Sequence, residues 1–122
     1  MMDAELKAKW IAALRSGEFK QGKNYLRRGG AHCCLGVLCE ILKDQVGGEW
    51  LPTNAMFPNV GASFAVRDDY GRTSGANDFL PYKVASSVGI NHYQMEKLAE
   101  LNDNPDGGLG FHEIANYIEE YL

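Results

Sequence analysis

Three cysteines lie close together in the first third of the chain, and a thiol is among the most nucleophilic side chains of proteins. Cys34 stands at the predicted start of a helix, after a short predicted strand. The amino terminus of a helix lowers the pKa of a thiol, because its unpaired N–H groups stabilise the thiolate. A general base would also be needed, and His92 or His112 could supply it. One hypothesis is therefore a cysteine-dependent hydrolase that uses Cys34 with one of these histidines.

The same thiols have a second interpretation as small core residues. The segment that contains them, CCLGVLCEIL, is apolar on more than one face, which is typical of a buried helix. The residues from Cys34 onward are similar to the Cys-Ser-Gly-Phe-Val pattern of NlpC/P60 peptidases, but Leu35 replaces the serine. We therefore favour the core interpretation and predict that the cysteines are structural.

A zinc site is a weaker interpretation of the same segment. Its ligands would be His32, Cys33, Cys34 and Cys39. Adjacent residues chelate poorly, and the sequence has no second Cys or His pair at zinc-finger spacing. An odd number of cysteines within seven residues also disfavours a disulfide framework, so reduced thiols in a cytoplasm are expected.

A basic segment precedes the cysteines and could bind an anion. Its cations are Lys20, Lys23, Arg27 and Arg28, with aromatic residues interleaved and glycines that expose backbone amides. Arginine forks and exposed N–H groups suit phosphate, although the segment has no phosphate-loop or dinucleotide motif. The alternative is a solvated loop. We predict that this segment, and not the acidic carboxyl terminus, meets any anionic partner.

The loop from Asn102 to Glu113 has the spacing of a calcium-binding EF-hand loop. Asn102, Asn104 and Asp106 fall at positions 1, 3 and 5, and Glu113 falls at position 12. Asn102 supplies a neutral oxygen where a carboxylate is usual, so any calcium affinity would be weak. The alternative that we favour is a helix–helix connection that folds without metal, so no cofactor is expected.

Charge is distributed unevenly although the whole chain carries only −4, a value that does not favour nucleic acid as a partner. Residues 7–28 carry a net +6, and residues 100–122 carry −6 with no Lys or Arg among them. Either the two ends pack together and neutralise each other, or they form two surfaces for different partners.

Hydrophobic periodicity and capping signals predict about five helices. The first runs from about Asp3 to Arg15, and a buried central helix runs from about Cys33 to Lys43. Within that helix Gly36 indicates close approach of a neighbouring backbone. A short helix should follow Pro81 and end at Gly89. Two carboxyl-terminal helices should form an antiparallel pair, the first of them capped by Asn91 with Gln94 in a capping box.

The expected fold class is α+β in one domain over residues 1–122. A small antiparallel sheet or hairpins should come from the basic segment, which turns at Gly29-Gly30, and from residues 62–79. In the second region a strand from Ser63 to Arg67 should lead through a turn at Asp69-Tyr70-Gly71 into a second strand. No apolar run is long enough for a membrane span, and no secretion signal is evident, so we expect a cytoplasmic protein with no membrane contact.

Several sequence blocks together resemble a widespread family of small phage and prophage proteins without assigned biochemistry. The blocks are KWIAALRSGEFKQGKNYLR, CCLGVLCEIL, LAELND and FHEIANYIEEYL, in the family's order, with NPDGGLG as a longer link before the last. The resemblance implies an accessory protein that works in the host cytoplasm. By analogy with other phage proteins of this size, it would bind a host protein or a nucleotide-like small molecule and could counter host defence.

Overall fold

The computed structural model describes residues 2–23, 25–28, 30–52, 62–67, 73–76, 80–104 and 108–122. The fold is α+β, as the sequence predicts. In chain order its elements are α1 (Ala4–Arg15), β1 (Arg27–Arg28), β2 (Ala31–His32), α2 (Cys34–Val46), β3 (Glu49–Pro52), β4 (Ala62–Arg67), β5 (Thr73–Ala76), α3 (Tyr82–Val88), α4 (His92–Asp103) and α5 (Phe111–Tyr121). Every helix in these ranges is too short or too polar to cross a bilayer.

Local signals set most helix ends where they were predicted. Asp3 accepts a hydrogen bond from the Leu6 backbone at 2.9 Å and caps α1. Asn91 and Gln94 form the reciprocal capping box of α4, with bonds of 2.8 and 2.9 Å. Helix α2 ends at Val46, three residues further than expected. It is capped by Gly47, whose φ of +64° lies in the left-handed region.

Helix α2 is the buried centre of the fold. All residues from Cys34 to Cys39 are buried. At Gly36 an added Cβ would overlap the carbonyl oxygen of Leu26, so the backbone before β1 lies directly against the helix. The close approach predicted for this glycine is confirmed, and no side chain larger than hydrogen fits there without movement of the backbone.

The strands form an antiparallel sheet with β4 at its centre. Strand β3 pairs with β4 from Glu49↔Ala65 onward, and β1 pairs with the start of β4 at Arg27↔Ala62. The hairpin of β1 and β2 and the strand β4 were predicted, whereas β3 was not. Its four residues follow two glycines and end at Pro52, so the segment is too short for periodicity to give a signal. The turn predicted at residues 69–71 lies outside the described residues.

Helix α5 packs against α1 as well as α4, which the prediction of a terminal helix pair did not anticipate. Its buried face contains Phe111, Ile114, Ala115 and Ile118. On its exposed side Glu119 accepts a bond from Arg15 at 2.7 Å, and its backbone oxygen accepts one from Lys7 at 3.1 Å. At these positions the oppositely charged ends of the chain pack together, as in the first of the two interpretations.

Candidate functional site around the basic hairpin

The basic segment folds as a hairpin, and we call residues 20–32 the basic hairpin. Its two strands pair at Arg27↔His32 and Arg28↔Ala31, and Gly30 turns the chain with a φ of +83°. The preceding residues run beside β2, because the His32 N–H donates to the Lys20 oxygen and the Gly22 N–H donates to the His32 oxygen. The segment is therefore an ordered element and not a loose loop.

The four candidate cations differ in exposure. Lys20, Lys23 and Arg28 are exposed, and Arg27 is half-buried. Successive residues of a strand point to opposite faces, so the neighbouring arginines separate. The Arg28 guanidinium lies 5.5 Å from the centre of the Tyr25 ring, and that of Arg27 lies 5.6 Å from the centre of a tryptophan ring of β3, Trp50. The two arginines therefore do not form one joint site, because each contacts a different aromatic ring.

Behind the hairpin, one carboxylate joins three elements. Glu40 Oε2 lies 3.1 Å from His32 Nε2 and accepts a bond from Trp50 Nε1 at 2.7 Å. Glu40 Oε1 accepts a bond from Lys43 Nζ at 3.2 Å. Strands β2 and β3 are thus both held to helix α2 through Glu40.

Aromatic rings enclose the histidine of this cluster. The ring centres of Phe19 and Trp50 lie 5.4 and 5.8 Å from that of His32, both in edge-on orientations. His32 is 7% exposed, and within the described part of the chain its Nδ1 has no hydrogen-bond partner. Burial lowers the pKa of His32 and the charge of Arg27 adds to this, while the hydrogen bond and the charge of Glu40 oppose it.

Glu40 is held in its charged form. Burial alone would raise the pKa of its carboxyl group. Hydrogen bonds from Trp50, Lys43 and His32 outweigh that effect, so the pKa of Glu40 lies below its ordinary value. An ionised carboxylate can only accept, so the proton of neutral His32 lies on Nε2. Sequence reasoning missed this cluster, although Glu40 is the single charged residue within CCLGVLCEIL.

The thiols lie in the core, away from solvent. Cys34 is fully buried, and its Sγ lies 3.7 Å from the Leu98 oxygen, to which it donates. Burial raises the pKa of Cys34 and Cys39 well above the ordinary value, and raises that of Cys33 to about 12. Helix α2 does begin at Cys34, as predicted, but the desolvation of the thiol exceeds the effect of the helix terminus.

The two histidines proposed as general bases are on the surface. His92 begins α4 and its Nε2 lies 3.0 Å from Glu96 Oε1, with the side chains 68% and 57% exposed. His112 is an exposed residue of the first turn of α5. The thiol of Cys34 points to the backbone of α4 at Leu98 instead, so the arrangement favours the structural interpretation of the cysteines.

Asn102, the first residue of the predicted calcium loop, is fully buried. Its Oδ1 accepts bonds from Gln21 Nε2 at 3.0 Å and from the Cys34 N–H at 3.3 Å. Its Nδ2 donates to the Gly22 oxygen and to Asp103, each at 2.8 Å. The side-chain amide of Asn102 therefore caps helix α2 and anchors the basic hairpin. These hydrogen bonds occupy the oxygen that a cation would need.

Two of the other proposed calcium ligands differ from Asn102 in exposure. Asn104 and Glu113 are both exposed, and Asp106 lies outside the described residues. In the ranges that the structure describes, no three His, Cys, Asp or Glu side chains form a group suited to a metal ion.

Comparisons with known proteins give one match. A family model described as "Domain of unknown function (DUF8296)" matches residues 2–122, nearly the whole chain. No curated protein matches the chain. No solved structure matches it either.

Proposed function

The chain belongs to the DUF8296 family, and we propose that it is a phage-type accessory protein that binds an anionic partner through its basic hairpin without catalysis. The proposed ligand carries phosphate groups, as a nucleotide or nucleotide-like signal does. The proposed place of action is the cytoplasm of the host cell, which follows from the resemblance to phage proteins.

The observation that carries this proposal is the exposure of cations on an ordered hairpin. Lys20, Lys23 and Arg28 are exposed within nine residues of one another, and the sequence has no Asp or Glu from position 19 to 39. Neither lysine has an ion pair within the described ranges. A phosphate that approaches this surface would therefore meet several cations that carry no acidic neighbour in sequence.

Aromatic contacts support the same proposal. The guanidinium of Arg28 lies over Tyr25, and that of Arg27 lies over Trp50. Cation–π contact restricts a long side chain before the ligand arrives, and less side-chain entropy is then lost on binding. The planar guanidinium group of arginine matches two phosphate oxygens at once.

The rival functions have less support. A cysteine hydrolase needs an accessible thiolate, whereas Cys34 is buried and its pKa is raised. A calcium-binding loop needs the oxygen of Asn102, which already accepts two hydrogen bonds. Both interpretations therefore rank below anion binding.

Isothermal titration calorimetry with ATP and with inorganic pyrophosphate tests the proposal. The double variant Lys20→Ala/Lys23→Ala should bind at least about tenfold more weakly, because a hydrogen bond to a charged group contributes roughly 1.5–3 kcal/mol. Lys9→Ala, at an exposed lysine of α1 paired with Glu5, is the matched control and should bind as the parent does. Affinity of the parent should also fall as salt rises.

Separate Arg27→Ala and Arg28→Ala variants show which face the ligand occupies. A loss of affinity in Arg28→Ala alone places the ligand on the side of the Tyr25 ring. A loss of affinity in Arg27→Ala alone places it on the side of the Trp50 ring. Equal affinity in the parent and in the lysine double variant contradicts the proposal. Absence of binding by both probes at millimolar concentration contradicts a phosphate-bearing ligand, and would leave an acidic surface of a host protein as the partner to test.

A further inference from the structure

We infer that Glu40 and His32 form a proton-operated latch, which holds the basic hairpin against α2 and β3 while His32 is neutral and frees it when His32 is protonated. The latch concerns the hairpin itself and does not depend on the identity of a ligand. It goes beyond the proposed function, because it gives the hairpin two positions that are selected by pH.

The latch consists of one carboxylate oxygen shared by two donors. Glu40 Oε2 accepts from His32 Nε2 in β2 and from Trp50 Nε1 in β3, at 3.1 and 2.7 Å. Lys43 holds the other oxygen at 3.2 Å, so the carboxylate is fixed in place. Neutral His32 therefore fits as a donor, with its Nε2 proton bonded to Glu40 and its ring between those of Phe19 and Trp50.

A second proton on His32 has no place in this arrangement. It would lie on Nδ1, which is buried and has no hydrogen-bond partner among the described residues. The rings of Phe19 and Trp50 that pack against His32 offer it no lone pair. A buried N–H without an acceptor is unfavourable, whereas the same group in water is fully hydrated.

The charges that face His32 come from two elements. Helix α2 supplies Glu40, with Lys43 on the far carboxylate oxygen, and β1 supplies Arg27, the residue directly opposite His32 in the hairpin. Strand β3 and the segment before the hairpin contribute the rings of Trp50 and Phe19. Glu40 attracts a charged imidazole, but Arg27 and burial oppose it. The imidazolium therefore gains most by moving into water.

The end of the hairpin that contains β1 and β2 is short enough to move while Gln21 and Gly22 stay bonded to Asn102. Each of its strands has two residues, and a hairpin of this size is marginal in water unless side chains attach it to the rest of the fold. Its described attachments at this end include the His32 bond, the bond from Cys33 N to the Leu26 oxygen, and one residue pair with β4. Loss of the His32–Glu40 hydrogen bond removes the side-chain contact that holds β2 to α2.

Nuclear magnetic resonance of the intact chain between pH 8 and pH 5 tests the latch. The imidazole signals of His32 give its titration, and hydrogen exchange of the Gly22, His32 and Cys33 amides, corrected for intrinsic rates, gives opening of the hairpin. We expect protection of these amides to fall at least tenfold with the midpoint of His32. Amides of α5 should lose less protection than those of the hairpin, which separates local opening from global unfolding.

Two glutamine variants complete the experiment. His32→Gln keeps a donor near Glu40 but does not titrate, so the protection of the hairpin should become independent of pH. His92→Gln removes the exposed histidine of the surface pair with Glu96 and should leave the transition as in the parent. A transition that persists in His32→Gln overturns the inference. If that variant does not fold, titration of His32 in the parent without a change in hairpin protection overturns it equally.

Discussion

The junction around helix α2 and the outer faces of α4 and α5 use the same kinds of polar contact in opposite surroundings. His32 and Glu40 meet at 3.1 Å with side chains 9% and 24% exposed, whereas His92 and Glu96 meet at 3.0 Å with side chains 68% and 57% exposed. From the N–O distance alone, the two pairs would be expected to contribute equally to stability. Their surroundings differ, because only the first pair joins separate elements and lacks water to replace a lost bond.

The same contrast holds for the asparagines. Asn102 is fully buried and joins the ends of α2 and α4 to the basic hairpin, whereas Asn116 is exposed and accepts a bond from Arg15 at 2.7 Å. A buried group left without its partner loses the hydration that an exposed group regains. Substitutions should therefore have large effects at the α2 junction and small effects on the outer faces.

The largest effect should come from Asn102→Leu. The change leaves the Gln21 amide, the Cys34 N–H and the Gly22 oxygen without their partner, so we expect a loss of about 3–5 kcal/mol in the free energy of unfolding. Urea denaturation followed by circular dichroism measures it. The matched control Asn116→Ala should change the value by less than about 1 kcal/mol. Equal losses in both variants would remove the distinction between the regions.

Gly36→Ala should destabilise the fold by about 2–3 kcal/mol. Its Cβ would overlap the Leu26 oxygen, and relief requires movement of backbone instead of a flexible side chain. The control Gly110→Ala has an ordinary φ of −72°, and its nearest neighbour would be a side-chain atom of Gln21 at 3.9 Å. It should cost less than about 1 kcal/mol. A stable Gly36→Ala protein would show that α2 and the hairpin can separate cheaply.

Cys34→Ala should cost on the order of 1 kcal/mol or more, because it leaves a small cavity beneath α4. The native thiols should also resist labelling by a disulfide reagent at neutral pH, since burial raises their pKa values. Labelling in urea counts the available thiols and serves as the reference. Rapid modification of native Cys34 would contradict the core interpretation and restore the hydrolase hypothesis.

The pH dependence of stability should also separate the two His–Glu pairs. Folding lowers the pKa of His32, so the unfolded chain binds this proton more tightly. The stability that depends on neutral His32 is complete above its unfolded value of about 6.5 and is lost as the pH falls toward the folded pKa. Glu40 adds a further loss below about 4.5, as the pH falls through its own lowered pKa.

Denaturation midpoints measured from pH 8 to pH 4 test this profile. The decline that begins near pH 6.5 should be absent from His32→Gln and present in His92→Gln. If the decline is instead absent from His92→Gln and present in His32→Gln, the exposed pair is the pH-sensitive one, which contradicts the prediction.

The smallest effect should come from the outer faces. Glu119→Gln weakens the ion pair with Arg15, whose side chains are 38% and 61% exposed, and we expect a change of less than about 1 kcal/mol. The midpoint in urea should move little, and the residual effect should vanish in high salt. A larger loss would mean that the α1–α5 contact depends on charge as well as on its apolar face.

The sequence anticipated those features that depend on neighbours along the chain. Asn91 and Gln94 are three residues apart, so their capping box could be predicted without tertiary information. The turn of the basic hairpin and the stop at Gly89 have the same local origin. Gly36 gave a correct indication of close approach, although the sequence could not name Leu26 as the neighbour.

The roles of polar side chains were harder to predict. Asn102 matched a calcium ligand by spacing, yet its partners include Cys34, 68 positions away, and Gly22, 80 positions away. Arg27 and Arg28 appear as a pair in sequence, but strand geometry turns them to different aromatic rings. Composition and spacing report which groups are available, and they do not report which groups meet.

The sequence by itself determined the α+β class, the helices and the buried character of α2, because periodicity and capping act within a few residues. Only the tertiary structure decided that β3 brings Trp50 to Glu40 and that Glu40 in turn meets His32. Hydrogen bonds and desolvation depend on which distant segments pack together, and that packing is a property of the whole core.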